Sequence, residues 1–348
     1  MSQLYHESGY ANIPYIMSRG MTFNFLIGGR GTGKTYGVLK YILESGIRFA
    51  FMRRTQSQLD TISKPETSPF KAVLADMAAD YDIVPLPAGK NIYGYYKCTY
   101  DEDHKPVYGD LIGYALALST VSNLRGFDMT DVDLLVYDEF IPESHERGIR
   151  NESDAWFNAY ETIGRNRELK GRPPLRAVCL ANSNDYMAPL LIGLKLVTTI
   201  SDMINAGREE YISPQKSIGI WLLNTSPISS AKRETALYKL TKQTSFAEMA
   251  LDNQFAGLND PDVYSVDLRE YNPVAGVGEL TIYKHKSTST YYISKHQSGT
   301  VNHYGSDGID IKRFFASHRS IMLAAVYEHI IYEDNLCKAL FLRYCGFN

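Results

Sequence analysis

The stretch FLIGGRGTGKTYGV, residues Phe25–Val38, fits the pattern G-x-x-x-x-G-K-[ST] between Gly28 and Thr35. The apolar run MTFNFLI leads into it and predicts a buried strand, and the apolar spacing of KTYGVLKYILE predicts a helix after it. A glycine-rich turn between a strand and a helix is the setting in which such loops bind phosphate. The stretch therefore predicts a phosphate-binding loop at the edge of a β-sheet.

Each residue type in this loop suits a nucleotide. Glycines let backbone N–H groups crowd around phosphates, and the N-terminus of the following helix adds a favourable dipole. We expect Lys34 to reach the β- and γ-phosphates of ATP and the Thr35 hydroxyl to bind Mg²⁺. A chance glycine turn is the alternative. The residues assigned to ATP binding are Gly28, Gly29, Arg30, Gly31, Thr32, Gly33, Lys34, Thr35 and Tyr36.

A second apolar run, VDLLVYDEF, ends in adjacent carboxylates. A strand ending at Asp138 brings an acid to the carboxyl edge of the sheet beside the phosphate loop, where it can hold Mg²⁺. Glu139 follows directly and is placed to polarise a water for attack on the γ-phosphate. An acidic pair at a strand end is common by itself, but together with the upstream loop it predicts ATP hydrolysis.

Further polar residues follow other elements. Asn182, at the end of CLANS, either senses the γ-phosphate or caps the next turn. Arg165 and Arg167 in IGRNREL, like Arg125 in SNLRG, either face solvent or offset charge in a neighbouring subunit's site. Arg53, with Arg54 beside it, ends a strand and either meets nucleotide or DNA phosphate or is solvated.

Alternating strand and helix patterns organise most of the chain. Strands are predicted at IRFAFM, LIGYALAL, RAVCLANS and GIWLLNTS, with a helix at DAWFNAYETIGRNREL, and this alternation predicts a parallel sheet flanked by helices. Residues 64–104 suggest a small helix and an irregular hairpin. A charged helical connector, a hairpin at GELTIYKHK and TYYISKH, and one or two amphipathic helices follow. The predicted domains are 1–226, 227–258 (linker) and 259–348.

Composition narrows the class of protein. The chain has 348 residues, of which 44% are hydrophobic and 22% are charged, as is ordinary for a globular protein. Its net charge of −3 argues against a surface coated with basic residues. The four cysteines occur singly, which fits a reducing cytoplasm and disfavours a zinc site. The longest apolar runs fall short of the ~20 residues that span a bilayer. We expect a soluble intracellular protein with no membrane partner.

Seven motifs, spread in order over most of the chain, resemble those of a known family. They are GGRGTGKTY, FMRR, LALSTVSNLRG, VYDEF, GRNRE, CLANS and FAEMALDNQF. The sequence resembles the DNA-packaging (encapsidation) ATPases of small protein-primed tailed bacteriophages, a compact branch of the terminase-like motors. The resemblance implies an α/β P-loop fold of the ASCE (RecA/terminase-like) type, with ATP and Mg²⁺ as cofactors. A short helical linker and a small α+β C-terminal domain, a vestigial ribonuclease H-like fold, would follow.

The resemblance also implies a function and partners. Family members form a ring, expected to be pentameric, at the portal of an empty prohead and pump double-stranded viral DNA inward. In some relatives a structural RNA takes part. The trans-acting arginine of the family falls on Arg165, and a second basic residue of similar role falls on Arg125. We therefore expect the protein in the host cytoplasm, transiently at the portal vertex and not in the mature virion.

For the C-terminal domain, the resemblance implies a nuclease fold without catalysis. Asp262, Asp267 and Asp310 are scattered and do not suggest a two-metal carboxylate set, so we predict no DNA cleavage. DNA-contacting residues remain unassigned. Basic residues available for phosphate contact, or simply solvated, are Lys284, Lys286, Lys295, Lys312 and Arg313.

Two other functions stay open. A helicase or recombination-type ATPase would use the same loop on single strands, although the MALDNQF motif disfavours it. A nucleotide-binding switch or scaffold without motor activity would not need Glu139 beside Asp138, because a switch does not require a positioned base.

Overall fold

The computed structural model describes residues 3–143, 146, 148–182, 186–241, 260–297, 301–327 and 329–346. Within this part, the chain divides into two units. The first comprises Met1–Leu190 and Met203–Ala256, and the second comprises Leu191–Asp202 and Gly257–Asn348. The motif FAEMALDNQF and much of the predicted linker lie outside the described residues. The three predicted domain boundaries stay predictions, and segment 191–202 joins the second unit rather than the first.

The first unit is built on a mixed sheet. Its strand order is β3-β4-β5-β2-β6-β7-β1-β9-β8. The six strands from β5 to β9 in this order are parallel, whereas β3, β4 and β8 extend the edges by antiparallel pairing. The strands are β1 (Phe23–Gly28), β2 (Phe49–Arg53), β3 (Asp82–Gly89), β4 (Ile92–Tyr100), β5 (Pro106–Ala117), β6 (Leu134–Asp138), β7 (Arg176–Ala181), β8 (Glu210–Ser213) and β9 (Ile218–Leu223).

Buried apolar runs explain the parallel centre of this sheet. Phe25, Leu26 and Ile27 in β1 have no exposed surface, as expected for strands covered on both faces. The predicted parallel sheet is therefore confirmed. Residues 82–100 form an antiparallel hairpin, β3–β4, whose register shifts between Pro87 and Gly89, in line with the irregular hairpin that the sequence suggests.

Helices precede, separate and follow these strands along the chain. Their bounds are α1 (Ile13–Ser18), α2 (Lys34–Ser45), α3 (Gln56–Ile62), α4 (Lys71–Asp76), α5 (Glu152–Gly164), α6 (Pro189–Gly193), α7 (Val197–Asn205), α8 (Pro227–Lys232) and α9 (Ala236–Leu240). The predicted helix DAWFNAYETIGRNREL ends at Gly164, because Arg165 takes a left-handed conformation (φ 42°). The two arginines of GRNRE therefore lie beyond the helix.

The second unit has a smaller sheet with the order β13-β10-β11-β12-β14. Its strands are β10 (Tyr271–Val277), β11 (Leu280–His285), β12 (Tyr291–Ser294), β13 (His303–Tyr304) and β14 (Ile330–Tyr332). The predicted hairpin is confirmed by the antiparallel pair β11–β12. The two outermost strands, β13 and β14, pair in parallel with their neighbours.

The C-terminal stretch differs from the one or two helices that its period predicts. It forms α10 (Gly308–Ser317), α11 (Arg319–Val326), the strand β14 and α12 (Asn335–Cys345). Aspartates cap two of these helices: the Asp307 carboxylate accepts from the N–H groups of Ile309 and Asp310, and Asp334 accepts from that of Cys337. A strand of three residues is too short to interrupt the helical spacing of apolar residues, so the sequence pattern does not reveal β14.

Candidate active site

The carboxyl ends of four neighbouring strands surround one open cleft of about 410 Å³. In the order β2-β6-β7-β1, Arg53 ends β2, Asp138 ends β6, Asn182 follows β7 and the glycine loop follows β1. Parallel pairing brings these ends to one edge of the sheet. The cleft is lined by Arg30, Gly31, Gly33, Lys34, Thr35, Tyr36, Asp138, Glu139, Glu143, Ala181 and Asn182.

Two glycines give the loop its shape. A Cβ placed on Gly28 would lie 2.5 Å from the Cβ of Leu223, so the backbone of β1 approaches β9 too closely for any side chain. Gly33 precedes α2 in a left-handed conformation (φ 83°) and makes no side-chain cap. The first N–H groups of α2 are therefore left for an anion, as a phosphate site requires.

Lys34 is buried in the loop itself. Its ammonium donates hydrogen bonds to the carbonyls of Gly28 and Gly29, each at 2.8 Å, and lies 3.5 Å from Asn182 Oδ1. Burial lowers the pKa of Lys34 to about 7, against an opposing effect of the Asp138 carboxylate. The lysine is thus held at the loop by backbone carbonyls, within reach of the residue that follows β7.

Two further predicted loop residues have local roles. The buried Thr32 hydroxyl donates to the Gly29 carbonyl at 3.0 Å, which braces the turn. Tyr36 lines the cleft and donates its hydroxyl to Asp76 at 2.7 Å.

The predicted magnesium ligands are in contact with each other. The Thr35 hydroxyl donates to Asp138 Oδ1 at 3.0 Å, and the Asp138 side chain is almost fully buried. A hydroxyl and a carboxylate are oxygen ligands of the kind that Mg²⁺ takes, usually together with phosphate oxygens and water. The residues therefore fit a Mg²⁺ ion that is shared with a nucleotide.

Glu139 is held in an unusual backbone conformation. It has φ 57°, which is uncommon outside glycine and is typical of functional positions, and its side chain is 51% exposed. The guanidinium of Arg53 contacts Glu139 at 2.5 Å and Asp138 at 3.1 Å. Partial burial raises the pKa of Glu139, Arg53 opposes that shift and Asp138 adds to it.

The adjacent Arg54 serves the core instead. Its side chain has no exposed surface and forms two hydrogen bonds of 2.9 Å with the buried Glu152. It also contacts Glu146 at 2.5 Å, and Tyr137 donates its hydroxyl to Glu152 at 3.0 Å. Arg54 is therefore a structural residue, away from the nucleotide and DNA contacts that the sequence left open for it.

The remaining predicted arginines lie outside this cleft. Arg165 donates to the Phe127 carbonyl at 2.6 Å and lies 3.4 Å from the exposed carboxylate of Asp128. Arg167 is buried against Asp133. Arg125 is exposed and pairs with no carboxylate in the part of the chain that the structure describes. None of the three reaches the phosphate loop within this chain.

Two contacts at the loop escaped the sequence analysis. Arg30 forms an ion pair with Glu143, and the ammonium of Lys232 donates to the Arg30 carbonyl. Lys232 lies some 200 residues after the loop, in a segment without a motif, so no local pattern indicates it.

The second unit contains no comparable acidic site among its described residues. Asp262 lies near Lys338, Asp267 near Arg269 and Asp310 near Arg313, each in a separate ion pair. Across the described ranges, no group of three or more His, Cys, Asp and Glu side chains could hold a metal ion, and no helix is long and apolar enough to cross a membrane.

Most of the basic residues singled out in this unit have local partners. Lys284 lies over the ring of Tyr291, and Lys295 contacts Asp334 at 2.6 Å. Lys286 donates to a backbone carbonyl at 2.6 Å. The described contacts therefore do not single out a DNA-binding surface.

Comparisons with known proteins identify relatives of this chain. The DNA packaging protein of Bacillus phage B103 is 30% identical over 336 residues, which cover 93% of this chain and 92% of that protein. The DNA packaging protein of Bacillus phage phi29 is 28% identical over 257 residues, or 72% of this chain and 67% of that protein.

Solved structures share the fold over the whole chain. The Phi-28 gp11 DNA packaging motor matches with a TM-score of 0.66 at 16% identity and covers 98% of this chain and 99% of its own. The bacteriophage Phi-29 viral genome packaging motor assembly matches with a TM-score of 0.65 at 22% identity, with coverage of 97% and 99%. The profile of the podovirus DNA encapsidation protein (Gp16) family matches residues 5–270, most of the chain, and the protein therefore belongs to that family.

Proposed function

We propose that this protein is the ATPase of a viral DNA-packaging motor, which hydrolyses ATP to translocate double-stranded DNA into a preformed prohead. One observation carries the proposal: in a DNA encapsidation family member, a single cleft joins the Lys34 loop, the Thr35–Asp138 pair and Glu139. These are the groups that ATP hydrolysis requires, namely phosphate binding, metal binding and a base.

We infer a task for each residue from this geometry. Lys34 and the N–H groups at the start of α2 would bind the phosphates, and Thr35 and Asp138 would hold Mg²⁺, which would supply positive charge to offset that of the phosphoryl group. Glu139, half exposed at the mouth of the cleft, accepts the proton of the attacking water. Asn182 lies 3.5 Å from Lys34, and this contact supports our proposal that it responds when the γ-phosphate leaves.

We assign the transition-state arginine to a neighbouring subunit. Arg165 is outside its own cleft, and its contacts, a backbone carbonyl and an exposed aspartate, are ones that an intersubunit contact can replace at little cost. Arg125 is the second candidate, because it is exposed and lies two residues before Phe127, whose carbonyl Arg165 contacts. Such a site is complete only in a ring, which we propose to be pentameric and to act at the portal in the host cytoplasm, with a structural RNA as a further component.

We also propose that the chain does not cleave DNA. The three aspartates considered for a nuclease site are each engaged in a separate ion pair, so they do not converge on a common metal position.

The test is ATP hydrolysis per subunit over a range of protein concentrations, with and without long duplex DNA. Specific activity should rise with concentration and with duplex DNA, and should fall by about 10³-fold or more in Arg165→Ala. Arg172→Ala is the matched control, because Arg172 also contacts a backbone carbonyl and an aspartate on the same surface.

Other outcomes select other functions. Stimulation by single strands in place of duplex DNA would indicate a helicase-type enzyme, and binding of ATP without hydrolysis would indicate a switch. A specific activity that is independent of concentration and unchanged in Arg165→Ala would exclude the shared site.

A further inference from the structure

The end of α8 brings a second lysine to the phosphate loop. Lys232, the last residue of this helix, donates from its ammonium to the carbonyl of Arg30. The same Nζ lies so close above Gly31 that any side chain at that position would collide with it. Two adjacent loop residues, both of which line the cleft, are therefore in direct contact with a segment far along the chain.

Hydrogen bonds fix the start of α8 and so the position of its last residue. Glu209 accepts from the N–H groups of Asn224, at 3.0 Å, and Thr225, at 2.8 Å. The buried Ser226 donates its hydroxyl to the Gly9 carbonyl at 2.8 Å. The turn before α8 is thus tied to two separate parts of the first unit, and the approach of its lysine to the loop follows from the fold.

The charges around Lys232 leave it without a counterion. No carboxylate pairs with it in the described part of the chain, whereas its neighbour Arg30 pairs with Glu143. Burial and the nearby Arg30 both lower the pKa of Lys232, and Lys232 in turn contributes to the lowered pKa of Lys34. Three basic side chains thus converge on the loop, in a cleft that Asp138, Glu139 and Glu143 also line, and Lys232 is available to an anionic ligand.

We propose that Lys232 binds the terminal phosphate of a nucleoside triphosphate, exchanging the Arg30 carbonyl for a phosphate oxygen. This proposal rests on the nucleotide site put forward above and extends it to a residue outside the loop. A diphosphate lacks the group that Lys232 binds, so the lysine distinguishes the two nucleotides.

The test compares binding of a non-hydrolysable ATP analogue and of ADP, each with Mg²⁺, by calorimetry. Lys232→Gln retains a donor for the Arg30 carbonyl but loses the charge. We expect it to weaken binding of the analogue about tenfold or more and that of ADP less than about threefold, as for loss of one charged hydrogen bond. Lys232→Arg should keep most of the preference for the analogue.

Lys239→Met is the control, because Lys239 lies in the neighbouring helix α9 and pairs with Glu234 at 3.2 Å. It should leave both affinities unchanged. Lys232→Met removes the loop contact as well as the charge. If Lys232 only supports the loop, Lys232→Met will weaken both nucleotides equally and Lys232→Gln neither.

Equal weakening of both nucleotides by Lys232→Met, or unchanged binding in all variants, would overturn the proposed role of Lys232 and leave the proposed nucleotide site intact. A wild-type protein that binds neither nucleotide would instead overturn the nucleotide site itself and this extension with it. Melting temperatures without nucleotide serve as the folding check, since a binding role predicts that Lys232→Gln loses the stabilisation by the analogue but not the basal stability.

Discussion

The guanidinium of Arg53 lies 2.5 Å from the carboxylate of Glu139. Its other terminal nitrogen lies 3.1 Å from Asp138, so one positive charge faces two adjacent carboxylates. Both contacts are largely shielded from water on the arginine side, where the side chain is 13% exposed. A divalent cation at the same edge of the sheet would compensate the same pair of negative charges.

Replacement of Arg53 should therefore make the stability of the folded protein depend more strongly on Mg²⁺ and nucleotide. We expect Arg53→Gln to lower the free energy of unfolding by about 1–3 kcal/mol, because a partly buried ion pair is lost. The increase in melting temperature on addition of Mg²⁺ and an ATP analogue should be larger than in the wild type, since the metal now supplies the missing charge.

Arg48→Gln is the control for this experiment, because Arg48 pairs with Asp131 at 3.5 Å on the surface. It should change neither quantity beyond about 0.5 kcal/mol. An equal stabilisation by Mg²⁺ and analogue in Arg53→Gln and wild type would refute the idea that arginine and metal compensate the same carboxylates.

The neighbouring arginine should respond differently. Arg54→Met leaves the buried Glu152 without its partner, and we expect a loss of about 3–5 kcal/mol in the free energy of unfolding. Urea unfolding followed by tryptophan fluorescence is a suitable measurement, because both tryptophans, Trp156 and Trp221, belong to the first unit. The double variant Arg54→Met/Glu152→Gln should recover part of the loss, and a single variant as stable as the wild type would contradict the structural role.

These two arginines mark the limit of what the sequence could predict. The pattern FAFMRR identifies a strand that ends in basic residues, but it does not say which residue faces the cleft. Arg53 is the last residue of β2 and contacts the site carboxylates, whereas Arg54 follows the strand in a bend and its side chain contacts buried Glu152 in the core. Which arginine faces the cleft depends on where β2 ends and how the chain turns after it, which are properties of the folded sheet.

The other elements likewise divide into those that a local sequence pattern predicts and those that depend on the tertiary fold. Strands β1, β6 and β7 are continuous apolar runs, and their ends carry the loop, Asp138 and Asn182, so both strands and site could be predicted locally. Strand β10 escaped prediction because Pro273 and Gly276 interrupt its pattern. Lys232 could not be found at all, since only the tertiary fold brings α8 to the phosphate loop.

The second unit should show a pH-dependent stability to which the partly buried carboxylate of Asp334 contributes. Burial opposes ionisation of Asp334, but hydrogen bonds from Lys295, at 2.6 Å, and from the Cys337 N–H, at 2.7 Å, outweigh it and hold the pKa below the usual range. A carboxylate with a lowered pKa contributes its full stabilisation above the pKa of an unfolded aspartate, about 4, and loses it as the pH falls.

Asp334→Asn separates this charge from the helix cap, because asparagine also caps helices well. We expect it to destabilise α12 at pH 7 by about 1 kcal/mol and to remove the loss of stability between about pH 4 and lower pH. Hydrogen exchange of the amides of α12, corrected for intrinsic rates, measures both effects. A variant with the same acid dependence as the wild type would exclude Asp334 as the titrating group.

A shared active site predicts that two inactive variants can rescue each other. Lys34→Ala removes the phosphate-binding lysine but keeps Arg165, and Arg165→Ala does the reverse. Each alone should hydrolyse ATP at about 10⁻³ of the wild-type rate or less. In a mixture, a subunit with an intact loop can receive an arginine from its neighbour, so activity should reappear at a substantial fraction of the wild-type rate in the presence of duplex DNA. The activity of the mixture should be highest when the two variants are present in about equal amounts.

A mixture of Lys34→Ala with Glu139→Gln is the negative control, because both substitutions lie within the same cleft and no neighbour can repair either of them. Mixtures with Arg165→Ala that stay as inactive as this control would place the arginine's function within its own subunit.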